Sequence, residues 1–112
     1  MARLERIVSQ LREAERADIA EWGDHLTFRV HGKNFIFCDA DASHLSVELS
    51  KAKAEAVVAT DSRVEPAGYG LGRHGWIAIT LNSPLDRRGW SELEEWVRTS
   101  YALVAPKTLG RM

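Results

Sequence analysis

Two adjoining segments, residues 28–31 and 34–37, alternate apolar and polar side chains on either side of the pair Gly32-Lys33. Alternation with a period of two is typical of a half-buried β-strand, and a glycine at the first position of a two-residue loop suits a type II′ turn. The pattern therefore predicts a β-hairpin with one face in the core, formed by Phe28, Val30, Phe35 and Phe37. The other face is predicted to carry Arg29, His31, Asn34, Ile36 and Cys38.

The rest of the pattern predicts three helices and two more strands, with a glycine-rich loop at residues 63–75. The predicted order is helix, three strands, helix, strand, helix, which indicates an α+β fold with an antiparallel sheet of about four strands and helices packed on it. The elements are expected at about Leu4–Arg16, His44–Leu49, Lys51–Thr60 with Ser50 as N-cap, Trp76–Leu81, and a closing helix from near Ser91, whose spacing to Glu94 fits a capping box.

Length and composition indicate a single domain over residues 1–112. Hydrophobic residues make up 45% and charged residues 28% of the chain, the ordinary profile of a globular protein. We expect a cytoplasmic monomer without a cofactor, because we find no signal-peptide pattern and no membrane-length apolar run, and Cys38 is the one cysteine. The net charge of −1 means that any nucleic-acid binding must come from a local basic patch.

Four sequence motifs occur in a characteristic order along the chain. They are Trp22-Gly23, the Phe-Arg-Val-x-Gly-Lys-x-Phe run at Phe28–Phe35, Trp76, and the Ser-Tyr-x-Leu-Val run at Ser100–Val104 followed by Pro106-Lys107. In order and spacing the sequence resembles the MmcQ/YjbR family of small bacterial proteins. The resemblance implies a compact α+β fold, described as CyaY-like or double-wing, and a function in DNA binding.

The candidate nucleic-acid interface combines basic residues of the hairpin with those of the glycine-rich loop, if that loop folds over the same edge. Arginine and lysine on a β-ribbon contact phosphates or bases, and an exposed tryptophan stacks on a base. The alternative is that these are ordinary surface groups and that the tryptophan is half-buried under a helix. The candidate residues are Arg29, His31, Lys33, Arg73, His74 and Trp76.

Four other functions are weighed against this one. A small-molecule- or protein-binding module would use the hairpin face, with Trp76 and Ile36 as its apolar floor. A phosphate-binding loop at residues 68–75 is disfavoured, because the segment lacks the Gly-Lys-Ser/Thr ending and leads into a strand, not into a helix. A thiol enzyme would need Cys38 beside a histidine, and we expect no enzyme activity. A metal site would draw on Cys38, Asp39, Asp41, His31 and His44, whose spacing matches no established site.

Overall fold

The computed structural model describes residues 2–18, 25–39, 42–68, 71–81 and 85–105. Within these ranges the protein has an α+β fold with one antiparallel six-stranded sheet and three α-helices. The helices are α1 (Ala2–Ser9), α2 (Lys51–Thr60) and α3 (Arg87–Val104), and a 3-10 helix spans Leu71–His74. The strands are β1 (Ala14–Asp18), β2 (His25–Val30), β3 (Lys33–Asp39), β4 (His44–Glu48), β5 (Val64–Pro66) and β6 (Trp76–Thr80), arranged in the order β1-β2-β3-β4-β6-β5.

The prediction of about four strands and of the order α-β-β-β-α-β-α was wrong at both edges of the sheet. The first helix ends at Ser9 instead of continuing to Arg16, and Ala14–Asp18 pairs with β2 as an edge strand. Its alanines and charged residues have low intrinsic β propensity, so pairing with β2 decides its conformation. The other edge strand, Val64–Pro66, lies within the predicted loop and ends at a proline, which an edge strand tolerates.

The hairpin forms, but with a different turn. Its two-residue loop is His31-Gly32, with φ of 50° and 78°, because Val30 pairs with Lys33. Two consecutive positive φ angles are the mark of a type I′ turn, so the predicted type II′ turn at Gly32-Lys33 was wrong.

A β-bulge in β3 changes the predicted faces of the hairpin. The register shifts so that Arg29 pairs with Asn34 while Phe28 pairs with Ile36, which leaves Phe35 as the extra residue. Phe35 and Ile36 are therefore both fully buried. Beyond the bulge the alternation is inverted: Cys38 is buried and Phe37 is only partly buried, contrary to the prediction for Ile36, Phe37 and Cys38.

All three α-helices pack on one face of the sheet. The buried core joins side chains from each helix to strand residues of that face alone, and we call it the helix-covered face. Its members in the four central strands include Leu26, Phe28, Val30, Ile36, Cys38, Leu45, Val47, Ile77 and Ile79. The opposite face carries Thr27, Arg29, Asn34, Phe37, Ser46, Glu48, Trp76 and Ala78.

The helix boundaries were predicted correctly for α2 and incorrectly for α3. Ser50 caps α2 by accepting a hydrogen bond from the Lys53 amide at 3.2 Å. The closing helix begins four residues before Ser91, where the Asp86 carboxylate accepts a hydrogen bond from the Gly89 amide at 2.8 Å. Asp86 supplies the N-cap, so the predicted capping box at Ser91 was wrong.

Candidate nucleic-acid interface

The strand order brings the hairpin turn and the glycine-rich segment to the same end of the sheet. Strand β4 is antiparallel to both β3 and β6, with Val47 opposite Ile36 and Glu48 opposite Trp76. The His31-Gly32 turn, the end of β4 and the start of β6 therefore share one end, which we call the turn end. Helix α2 also begins there, directly after β4, so Lys33, at the start of β3, and Arg73, just before β6, lie at this end of the sheet.

Gly75 fixes how the chain enters β6 at the turn end. Its φ is 92°, and a Cβ at this position would lie 2.1 Å from the carbonyl oxygen of Leu49. The Leu49 amide donates a hydrogen bond to the Gly75 carbonyl at 2.9 Å. The residue between His74 and Trp76 must therefore be glycine, because any side chain would push β6 away from β4.

Lys33, Lys51 and Arg73 are three exposed basic residues at the turn end. None of the three forms an ion pair with another residue of the described ranges. Lys51 was not among the predicted site residues. The sequence could have indicated its position, because the predicted N-cap at Ser50 starts a helix at Lys51, directly after β4.

The other predicted site residues have partners or are buried. The Arg29 Nε donates a hydrogen bond to Asn34 Oδ1 at 2.8 Å, across the hairpin on the opposite face. His31 Nε2 lies 3.3 Å from Glu13 Oε2, and His74 is exposed and interacts electrostatically with Glu48.

Trp76 differs from its predicted environment. Only 9% of its surface is exposed, and its ring packs against Phe37 with the centroids 5.4 Å apart at 59°. The two rings meet across β4, where the small Ser46 pairs with Phe37. The prediction of an exposed Trp76 was wrong, and its indole is not free to stack on a base.

Glu48 is the acidic residue of this region with a shifted pKa. Burial raises its pKa, because the folded chain removes water from the carboxylate, and the nearby His74 opposes the shift. The backbone amide of Glu48 donates to the hydroxyl of Ser100 at 2.9 Å, which ties this strand end to α3.

Among the residues it describes, the structure does not assemble the thiol or metal sites that were weighed as alternatives. Cys38 lies on the helix-covered face, and burial, together with the Asp39 charge, raises the pKa of its thiol to about 12. A thiol with this pKa stays protonated at neutral pH and is a poor nucleophile. Asp39 Oδ2 contacts His44 Nδ1 at 2.9 Å, but no group of three metal-binding side chains occurs in the described ranges, and Asp41 lies outside them.

The predicted hairpin-face pocket is also absent from the described residues. Its floor was to be Ile36 with Trp76, but Ile36 is fully buried on the helix-covered face, whereas Trp76 pairs with Glu48 on the opposite face. Other predicted landmarks lie outside the described residues. These are Trp22, Gly23, Tyr69, Gly70, Pro106 and Lys107.

Comparison with known proteins identifies the family. The sequence profile of the YjbR family matches residues 9–103, most of the chain. The chain belongs to the YjbR family. A solved structure with the same fold is the crystal structure of Deinococcus radiodurans protein DR2400, which has a DUF419 domain. It superposes with a TM-score of 0.71 at 22% sequence identity, over 90% of this chain and 75% of that one.

A comparison with curated proteins gives no match. No helix among the described residues of this YjbR-family chain is long and apolar enough to cross a membrane.

Proposed function

We propose that this YjbR-family protein binds nucleic acid weakly and without catalysis, through the basic residues at the turn end of the sheet. The observation that carries the proposal is the meeting of Lys33, Lys51 and Arg73 at one end, all exposed and none paired with a described carboxylate. Unpaired cations that are free to approach phosphates supply most of the affinity in non-specific binding.

In this proposal Arg29 has a different role from the one expected from the sequence. Its guanidinium is held by Asn34 across the hairpin, so it stiffens the ribbon that presents Lys33. Binding should therefore depend more on Lys33 and Arg73 than on Arg29. The contact is expected to be weak and salt-dependent, because the net charge of −1 gives no long-range attraction to a polyanion.

Absence of catalysis is part of the proposal. A nucleophile needs a neighbouring base or a lowered pKa, and the Cys38 thiol has a raised one. His44 lies on the opposite face of the sheet from Cys38, and His31 lies at the turn end.

The test is a fluorescence-anisotropy titration with labelled single- and double-stranded oligonucleotides at low salt. The variant Lys33→Ala/Arg73→Ala is expected to bind several-fold more weakly than the unmodified protein. The matched control is Arg87→Ala/Arg88→Ala, which removes the same charge from exposed positions at the start of α3, beyond the other end of β6. Equal losses in both variants would show that only total charge matters, and would contradict the proposed site.

A further inference from the structure

A concave cleft lies beside the turn end, between α2 and the corner formed by β5, the 3-10 helix and the start of β6. Its volume is about 440 Å³, within the range of small-molecule pockets. One wall is a stripe along α2 in which Ala54 and Val58 lie one turn apart, and Ala59 lies one turn after Glu55 at the side of the stripe. Pro66 and Trp76 contribute to the facing wall.

The lining of this cleft is chiefly apolar, and its charged residues are few. Val58 is partly exposed, while Ala59 and Pro66 are exposed, so apolar surface faces water. Lys51 on one wall and Arg73 on the other supply two cations, and neither makes an ion pair with a described residue.

Glu55 also lines the cleft, so the local charge is +1 when the three groups are ionised. An apolar cleft with a small excess of positive charge complements a molecule that has an apolar body and one negative group. A polyanion would not fill the apolar part of the cleft, and a neutral hydrocarbon would make no ionic contact with the two cations.

We propose that this cleft binds a small organic carboxylate with an alkyl or aryl body. The body packs between Val58 and Pro66, and the carboxylate lies between the Lys51 ammonium and the Arg73 guanidinium. This cleft overlaps the proposed nucleic-acid contact at Lys51 and Arg73 and differs from it in its other residues. Ala59 belongs to the cleft alone and Lys33 to the nucleic-acid site alone.

The test is a ¹H–¹⁵N NMR titration of the full chain with octanoate, with octanol as the uncharged match. Octanoate is expected to give saturable shifts centred on the amides of Ala54, Gly72 and Ile77, and octanol is expected to bind several-fold more weakly. Equal affinity for the two molecules would overturn the carboxylate assignment, and the absence of saturable shifts would overturn the site.

Two variants locate the binding. Ala59→Phe fills the cleft from an exposed position and should abolish octanoate binding, whereas Ala52→Phe, at an exposed position of α2 outside the cleft, should not. Arg73→Gln should weaken octanoate binding several-fold, and thermal unfolding confirms that each variant is folded. Unchanged binding by Ala59→Phe would overturn the proposal.

The two functions are separable with the same proteins. Lys33→Ala should weaken oligonucleotide binding and leave octanoate binding unchanged, while Ala59→Phe should do the reverse. Loss of both activities in Lys33→Ala would mean that the cleft is not a separate site.

Discussion

The hydroxyl of Ser100 in α3 donates a 2.6 Å hydrogen bond to the carbonyl oxygen of Phe35, the extra residue of the bulge in β3. The same hydroxyl accepts a hydrogen bond from the amide of Glu48 at 2.9 Å. The pairing of β3 with β4 stops at Val47, so one buried side chain satisfies two backbone groups beside the bulge. This contact links the closing helix to the turn end.

Replacing Ser100 by Ala should therefore destabilise the protein more than the loss of one surface hydrogen bond. The buried Phe35 carbonyl and the Glu48 amide would both lose a partner, at a cost of about 1–3 kcal/mol for each group left unsatisfied. Urea denaturation measures the difference. Thr99→Ala, which removes a neighbouring hydroxyl bonded within the helix to Glu95, should stay within about 0.5 kcal/mol of the unmodified protein. Similar losses in the two variants would show that the bridge contributes little.

Alanine substitutions at three glycines of the turn end distinguish the cost of backbone strain from the cost of steric contact. Gly75→Ala should cost well over about 2 kcal/mol, because alanine is disfavoured at φ 92° and its Cβ would collide with Leu49. Gly32→Ala should cost about 1–2 kcal/mol, since φ is 78° but the space is open. Gly68→Ala, with neither feature, should be nearly neutral by thermal unfolding. A different ranking would contradict the close approach of β6 to β4.

The start of α3 can be tested by comparing its two candidate caps. Asp86→Ala should destabilise the protein by about 1 kcal/mol, because the Gly89 amide loses its acceptor. Ser91→Ala should have little effect, since Ser91 is exposed inside the helix. The measurement is the midpoint of chemical denaturation. A larger loss at Ser91 would restore the capping box expected from the sequence.

The raised pKa of Glu48 gives a pH-dependent prediction. The pKa of Glu48 in the folded state lies above its ordinary value of 4.5, so ionisation of Glu48 opposes folding. The stability of the fold therefore falls as the pH rises from 4.5 through the folded-state pKa. Glu48→Gln should therefore unfold at a higher temperature than the unmodified protein at neutral pH. The difference should shrink towards zero below pH 4.5.

The control for that experiment is Glu65→Gln, at an exposed position of the edge strand β5. Its effect on the unfolding temperature should be small at every pH. If Glu48→Gln raised the unfolding temperature by the same amount at every pH, the gain would come from packing or hydrogen bonding and not from ionisation.

The sequence pattern predicted an element correctly where a strong hydrophobic period and a clear helix cap occur together. Lys51–Thr60 was predicted with both its ends and its Ser50 cap, because alternating charges, apolar positions and a serine agree. Val64–Pro66 was missed because three residues carry no measurable period. Ala14–Asp18 was missed because its composition is helical and only pairing with β2 makes it a strand.

For the candidate residues, the sequence indicated which strands and loops carry them but not the environment of each side chain. The strand order puts Lys33 and Arg73 at the same end of the sheet, and their role in nucleic-acid binding stays a prediction. The bulge at Phe35 could not be foreseen, because an extra residue in a strand leaves no mark in a pattern of alternation. It buries Ile36, which the alternation had assigned to the outer face.

The most direct test of the proposed function is the dependence of oligonucleotide affinity on salt concentration. If Lys33 and Arg73 contact phosphates, replacing both by alanine should reduce the slope of log K against log salt by about 2, with roughly 1 lost for each contact. The Arg87→Ala/Arg88→Ala control should keep the slope of the unmodified protein. An unchanged slope in Lys33→Ala/Arg73→Ala, or no binding at low salt, would contradict nucleic-acid binding at the turn end.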